Sequence, residues 1–263
     1  MSRPRSLMED AFTVPPLATV AGIPSFLRES PALSNRDPGD LESYIQRHRR
    51  HLGRRTVHDT LQIDGLAAGD AVLSVGEGTG DFVTALAARR PDLRFAAFDA
   101  DVKRVSIARE LAAALGVANV TFYIGGVDFV PFPDGAFRAV IERGVFHVLP
   151  RAAKLSNLRE IERVCRGRVV MTHMVNAWRY LRRRTAQTLR YRAWRTFADA
   201  FSTFRLVDKD HDTLGKLAAF VGEHTGHTVQ VLCNFDGDEE LAAPADADPA
   251  TQVMGGITYC TDE

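Results

Sequence analysis

The stretch AVLSVGEGTGDFVTALAARRPDLRFAAFD, residues 71–99, constrains the fold more than any other part of the chain. The apolar run Ala71 to Val75 reads as a buried strand, and it meets a glycine turn, Gly76-Glu77-Gly78-Thr79-Gly80. A helical pattern follows, with Phe82, Val83, Leu86 and Ala87 on its apolar face, and a second apolar run, Phe95 to Phe98, ends in Asp99. Strand, glycine-rich turn, helix, strand and acid make up half of a nucleotide-binding unit. Glycines let the backbone take positive φ and come close to a ligand. The helix start offers free N–H groups and the positive end of its dipole. A carboxylate at the tip of the second strand can accept bonds from both hydroxyls of a ribose.

The spacing of the glycines narrows the ligand. A dinucleotide fold uses G-x-G-x-x-G, whereas here Gly76, Gly78 and Gly80 give G-x-G-x-G and position 81 is Asp. No Gly-Lys-Ser/Thr follows, so this is not a phosphate loop of the Walker type.

Downstream, strands and helices alternate. A helix is expected from about Val102 to Leu115, closed by Gly116. Val120 to Ile124 and Phe137 to Ile141 read as strands, joined by a loop with turn residues at both ends. His147-Val148-Leu149-Pro150 leads into a helix to about Val164, and Arg168 to Thr172 reads as a fifth strand. This rhythm predicts a parallel α/β sheet covered on both faces. The segment 176–206 breaks it with a long helical stretch in which Trp178, Leu181, Leu189 and Trp194 alternate with a crowd of arginines. A further helix, from Asp212 to about Thr225, precedes a closing strand pair at 227–235 and 253–260, separated by an acidic loop.

Residues 1–38 hold six of the twelve prolines and read as an irregular arm, neither helix nor strand, with residues 39–263 forming the folded domain. Between them, Leu41 to about Leu61 fits one or two amphipathic helices with a basic face that includes Arg47, Arg49 and Arg50. Lys+Arg and Asp+Glu balance at 33 each, so global charge favours neither nucleic acid nor a membrane surface. No run approaches the roughly 18 apolar residues of a membrane span. The three cysteines form no close pair, which fits a reducing compartment, and a cytoplasmic enzyme is the expectation.

Several of these segments, in order, resemble the class I methyltransferases that use S-adenosylmethionine. VLSVGEGTG resembles the family's first motif and FAAFDAD its second. VTFYIGGVDFVPFPDGAFRAVIERGVFHVLP resembles the segment that usually reads GDA-x-x-LPF-x-D-x-x-FD, and LREIERVCRGRVVMTH resembles the helix and fifth strand that come next. The resemblance covers about residues 61–175. It implies a Rossmann-like, seven-stranded, mostly parallel sheet with helices on both faces, N-terminal arm and helices, and a helical lid at 176–206 after strand 5. It implies S-adenosylmethionine as cofactor, held by Gly76, Glu77, Gly78, Gly80, Asp99, Ala100, Val127, Asp128, Glu142 and Arg143. Asp99 would bind the ribose hydroxyls. Val127 and Asp128 would lie near the adenine, and Glu142 to Gly144 would border the sulfonium and the acceptor.

Three positions lack the family's usual acid: Ser74 two residues before the first glycine, Gly126 in the GDA position, and Arg138 after the phenylalanine of the fourth strand. Glu77 would replace the first by reaching the methionine ammonium, and Asp128 would replace the second.

Methyl transfer needs alignment and desolvation, and an oxygen or nitrogen acceptor also needs to lose a proton, a task suited to histidine. His147 is the first candidate for that base, followed by His173, with Tyr44 and Tyr180 as acceptor contacts. No metal-ligand set is visible. Arg179 and Arg183, with Tyr180, would recognise an anionic small molecule from the lid; a solvated helix face is the plainer reading. The leading expectation is a small-molecule methyltransferase acting on oxygen or nitrogen, without membrane association and with a homodimer compatible with the arm. An RNA methyltransferase, and a protein of the same fold that keeps the cofactor without transferring methyl groups, stand as alternatives.

Overall fold

The computed structural model describes residues 8–27, 41–42, 44–46, 65–174, 213–232 and 254–261. The basic face at 47–55, the lid at 176–206 with Arg179, Tyr180 and Arg183, and the acidic loop after Cys233 lie outside the described residues.

The strands are β1 (Ala18–Val20), β2 (Ile23–Ser25), β3 (Ala71–Val75), β4 (Arg94–Asp99), β5 (Val120–Ile124), β6 (Phe137–Arg143), β7 (Cys165–Met174), β8 (Gln230–Leu232) and β9 (Met254–Cys260). The helices are α1 (Asp81–Arg89), α2 (Val102–Ala114), α3 (Arg151–Val164) and α4 (Leu214–Thr225). The sheet runs β1-β2-β5-β4-β3-β6-β7-β9-β8. Strands β5, β4, β3, β6 and β7 are mutually parallel, and β9 returns antiparallel to β7. The order reverses direction at β3, where β4 lies on one side and β6 on the other. Ligands of open α/β sheets bind at such a switch point, beyond the carboxyl ends of the strands.

Each face of the sheet has its own apolar cluster. On one, Val83, Leu86 and Ala87 of α1 and Val105, Ala108 and Ala112 of α2 pack against Val72, Phe95, Ala97, Ala139 and Ile141. On the other, Leu158 and Ile161 of α3 and Leu217, Phe220 and Val221 of α4 pack against Leu73, Ala96, Val140, Val169 and Ile257. Burial of strands on both faces explains why they read as continuous apolar runs rather than alternating ones. Burying each large side chain stabilises the fold by roughly 1.5–3 kcal/mol. Asn119 ties the far end of α1 to the sheet, its Nδ2 donating to the carbonyls of Ala87, Arg90 and Leu93 at 3.1–3.2 Å.

The helix boundaries follow the expected signals. Asp101 caps α2, its side chain accepting from the N–H groups of Lys103 and Arg104, and Gly116 follows α2 with φ +68°.

One expectation needs correcting. Residues 18–25 are not irregular: β1 and β2 form a hairpin that extends the sheet beyond β5, giving nine strands among the described residues where seven were expected. Ala21 and Gly22, at φ +50° and +73°, form its two-residue turn, as hairpins of this length require. Ser25 pairs with Ile124, the Phe26 N–H donates to the Ile124 carbonyl at 2.9 Å, and Arg109 holds the Ala21 carbonyl. Pro24 sits within β2, near the edge of the sheet, where a missing N–H is tolerated. Strands of three residues are too short to show a period, so the proline count dominated the sequence signal.

Candidate active site

The glycine turn connects β3 to α1 at the switch point. Gly76, Gly78 and Gly80 have φ of +63°, +65° and +72°, the left-handed region that favours glycine. A Cβ on Gly76 would lie 2.1 Å from Val145 Cγ2, so the turn packs directly on the segment after β6. A Cβ on Gly78 would meet only Arg104 Nη1, at 3.9 Å, which leaves this face of the turn open. The turn is tied to the neighbouring strand by the Glu77 N–H, which donates to the Phe98 carbonyl at 3.0 Å.

Asp99 stands at the tip of β4, half-buried, and ties the glycine turn to the residue before α2. Its Oδ2 accepts from the Gly78 N–H at 3.0 Å and its Oδ1 from the Asp101 N–H at 2.9 Å. Burial pushes its pKa up, opposed by the Asp101 N–H, the Arg104 charge and the Gly78 N–H. Each oxygen keeps acceptor capacity beyond its one backbone bond, which is what a ribose diol needs.

Glu77 does two jobs inside the protein. Gly80, the N-cap residue of α1, has no side chain to offer, and Glu77 Oε1 instead accepts the Val83 N–H at 2.9 Å. Its Oε2 accepts the Ser74 hydroxyl at 2.5 Å. Burial raises its pKa, and the charge of Arg143 acts against that shift. An acid at position 74 would set a second negative charge against Glu77. The serine instead donates to the Glu77 carboxylate three residues along the chain.

Position 126 also lies beside an acid. A Cβ on Gly126 would lie 2.5 Å from Asp128 Oδ1, so the Asp128 carboxylate folds back over the space a side chain at 126 would start to fill. Val127 beside it is half-buried and Asp128 exposed. Arg138, the third departure, donates to the Arg166 carbonyl at 2.6 Å and serves the sheet, not the cleft. Ala100 follows Asp99 at the entrance to α2 and is half-buried.

Strand alternation separates two residues that sequence placed side by side at the cofactor. Arg143 projects toward α1, its guanidinium carbon 3.7 Å above the centre of the Phe82 ring. Glu142 projects to the opposite face and is fully buried, accepting from Asn157 Nδ2 of α3 at 2.7 Å. Its Oε1 has no hydrogen-bond partner among the described residues. Asn157 had no signal in the sequence beyond its place on an amphipathic helix.

Burial lifts the Glu142 carboxyl to about 7, with Asn157 and the Phe146 N–H acting against it. The ordinary value is 4.5. Below it, folded and unfolded chains both hold the proton. Between 4.5 and 7 only the unfolded chain releases it, so stability falls as pH rises through this window, by about 3 kcal/mol at most. Glu142→Gln removes this loss. The variant is expected to exceed the wild type by about 2–3 kcal/mol at pH 8 and to match it near pH 4.5, read from urea midpoints. An equal difference at both pH values would contradict the assignment.

His147 lies in the short 3-10 turn Phe146–Val148 after β6 and is buried. Its Cε1 would be 3.5 Å from a Cβ on Gly144, which places the ring against the β6 tip. His173 lies in β7 opposite Gly255, near the carboxyl end of the strand. Tyr44 is helical and buried. No group of histidine, cysteine or acid side chains among the described residues is arranged to hold a metal ion.

Residues 72–167 match a family model described as a methyltransferase domain. No curated protein matches the sequence. Among solved structures, a SAM-dependent methyltransferase from Aquifex aeolicus is similar over 86% of this chain and 100% of its own, with TM-score 0.53 and 16% identity. The CurJ carbon methyltransferase is similar over 86% of this chain and 59% of its own, with TM-score 0.56 and 14% identity. The mitomycin 7-O-methyltransferase MmcR is similar over 80% and 53%, with TM-score 0.54 and 18% identity. The chain thus spans little more than half the length of the last two, and at these identities the likeness is one of fold. Residues 72–167 thus match a methyltransferase-domain model, and the sheet order, with the glycine turn at its switch point, gives the chain the fold shared by the S-adenosylmethionine-dependent methyltransferase structures it resembles.

Proposed function

We propose that this chain transfers a methyl group from S-adenosylmethionine to an oxygen or nitrogen atom of a small-molecule acceptor, in the cytoplasm. The observation that carries the reading is the pairing of the open glycine turn with Asp99, whose two oxygens are fixed by the Gly78 and Asp101 N–H groups. That arrangement leaves a rigid diol acceptor beside a backbone surface with room for a ligand.

When bound, the cofactor supplies an activated methyl group on a sulfonium, so the protein's contribution is alignment and exclusion of water. The Gly76 turn and Val145 in contact with it form one wall. His147 forms part of the region after β6, and its ring is the candidate that would take the acceptor's proton. Tyr44, His173 and, on the proposed lid, Arg179, Tyr180 and Arg183 are the candidate acceptor contacts. MmcR acts on oxygen and CurJ on carbon, so structural likeness leaves the acceptor atom to be decided by the proton acceptor at the site.

The test uses methyl-labelled cofactor and a panel of phenols, carboxylates and amines. Transfer to one of these classes is expected, and His147→Ala should lower turnover by about 10²–10⁴-fold, the usual range for general-base catalysis, while cofactor affinity stays nearly unchanged. Unchanged turnover would remove His147 from the chemistry. Transfer to carbon acceptors alone would overturn the oxygen or nitrogen assignment.

A further inference from the structure

Packing alone does not call for an acid at position 142. The side chain is fully buried on the face of β6 that carries α3, and its register neighbours on that face, Val75 and Met171, are apolar. An apolar residue of similar size would fill the place without the cost of desolvating a carboxyl.

The two donors to this carboxyl show what it joins. Asn157 Nδ2 of α3 donates to Oε2 at 2.7 Å, and the Phe146 N–H acts on the same group. Phe146 opens the 3-10 turn Phe146–Val148, so one side chain ties the tip of β6 to the start of that turn and to the body of α3. The Phe146 ring is itself fully buried, 6.1 Å centre to centre from Phe220 of α4, and the buried Lys154 of α3 has its Nζ 5.5 Å from the ring centre. On the other side of the segment, the Gly144 N–H donates to the Thr172 carbonyl at 3.1 Å and Val145 packs on Gly76. His147 follows Phe146 directly, buried, with Cε1 3.5 Å from the place of a Cβ on Gly144. Its backbone is therefore held between the glycine turn and a polar anchor reaching to α3.

We propose that Glu142 and Asn157 form a latch that positions His147, holding the 146–148 turn against α3 and so fixing where the imidazole meets the acceptor. This assignment rests on the reading of His147 as the group that takes the acceptor's proton. Glu142 touches neither cofactor nor acceptor in it and acts only through the turn. The gain is one of alignment: a misplacement of about 1 Å can cost about a hundredfold in rate. It gives the buried acid a use that packing does not.

The experiment combines turnover, affinity and amide hydrogen exchange in the full chain. The acceptor is the phenol, carboxylate or amine of the panel that the wild type methylates, and S-adenosylhomocysteine is the binding probe. Glu142→Leu and Asn157→Leu are each expected to lower kcat by about ten- to a hundredfold and to leave S-adenosylhomocysteine affinity within about twofold, which also shows that each variant is folded. Glu142→Gln should fall between Glu142→Leu and the wild type, since its amide keeps one acceptor oxygen. At about pH 8 it is also expected to be more stable than the wild type, so its slower turnover is not a loss of fold. In a His147→Ala background neither leucine variant should lower turnover further, because the latch acts through that ring. Exchange at the amides of 145–149 should quicken by about tenfold in both leucine variants while exchange in α1 stays unchanged. Full turnover in Glu142→Leu, losses that multiply with His147→Ala, or unchanged exchange at 145–149 would overturn this assignment alone. A His147→Ala variant as active as the wild type would overturn the reading of His147 and this assignment together.

Discussion

Asp99→Ala is expected to weaken S-adenosylhomocysteine binding by more than about tenfold, since hydrogen bonds to a charged group contribute about 1.5–3 kcal/mol and each 1.4 kcal/mol is a factor of ten. The substitution acts twice. It removes the acceptor for the ribose hydroxyls, and it releases the Gly78 and Asp101 N–H groups that Asp99 fixes at 3.0 and 2.9 Å. The second effect loosens the turn and the start of α2 together. Asp99→Asn separates the two, because an amide keeps one oxygen acceptor and nearly the same shape. It should retain the fold and an intermediate affinity. Calorimetry that found Asp99→Ala within about twofold of the wild type would remove Asp99 from the ribose site.

Gly80→Ala is expected to cause a large loss of stability. Its Cβ would fall 2.5 Å from Ala108 Cβ and 3.0 Å from Ala108 Cα, so the obstacle is the body of α2 and not a side chain that can rotate away. At φ +72° an L-residue adds about 1–2 kcal/mol of backbone strain, and forced overpacking costs about 1–3 kcal/mol more. Against a total stability on the order of 5–15 kcal/mol, the combined loss of about 2–5 kcal/mol should lower the melting temperature by roughly 5–15 °C. Gly78→Ala is the control: its φ is +65°, but its Cβ would meet only Arg104 Nη1 at 3.9 Å. It should show the strain alone, about 1–2 kcal/mol, and block the open side of the turn where the ligand is proposed to lie. Equal melting temperatures for the two variants would contradict this account of how α1 and α2 meet.

The sheet was legible because its strands are buried on both faces and announce themselves as apolar runs separated by helical patterns. The place of Asp99 at the tip of β4 was legible because it closes the second apolar run after a glycine turn. What escaped sequence reading depends on register and on contacts distant in the chain. The β1–β2 hairpin rests on Ala21 taking φ +50°, which nothing in a proline-rich segment announces. The separation of Glu142 from Arg143 depends on which face of β6 meets α1, a property of the assembled sheet. Arg138 gained a reason only once Arg166 lay beside it. Ser74 and Gly126 were visible as departures from a pattern. That Ser74 donates to Glu77 and that Asp128 folds over Gly126 required coordinates.

The central claim is that the G-x-G-x-G turn and Asp99 form a site for S-adenosylmethionine and not for a dinucleotide. Calorimetric titration of the wild-type protein with S-adenosylhomocysteine and, separately, with NAD tests it most directly. One saturable site for S-adenosylhomocysteine and at least about tenfold weaker binding of NAD are expected. Binding of NAD alone, or of neither molecule, would contradict it.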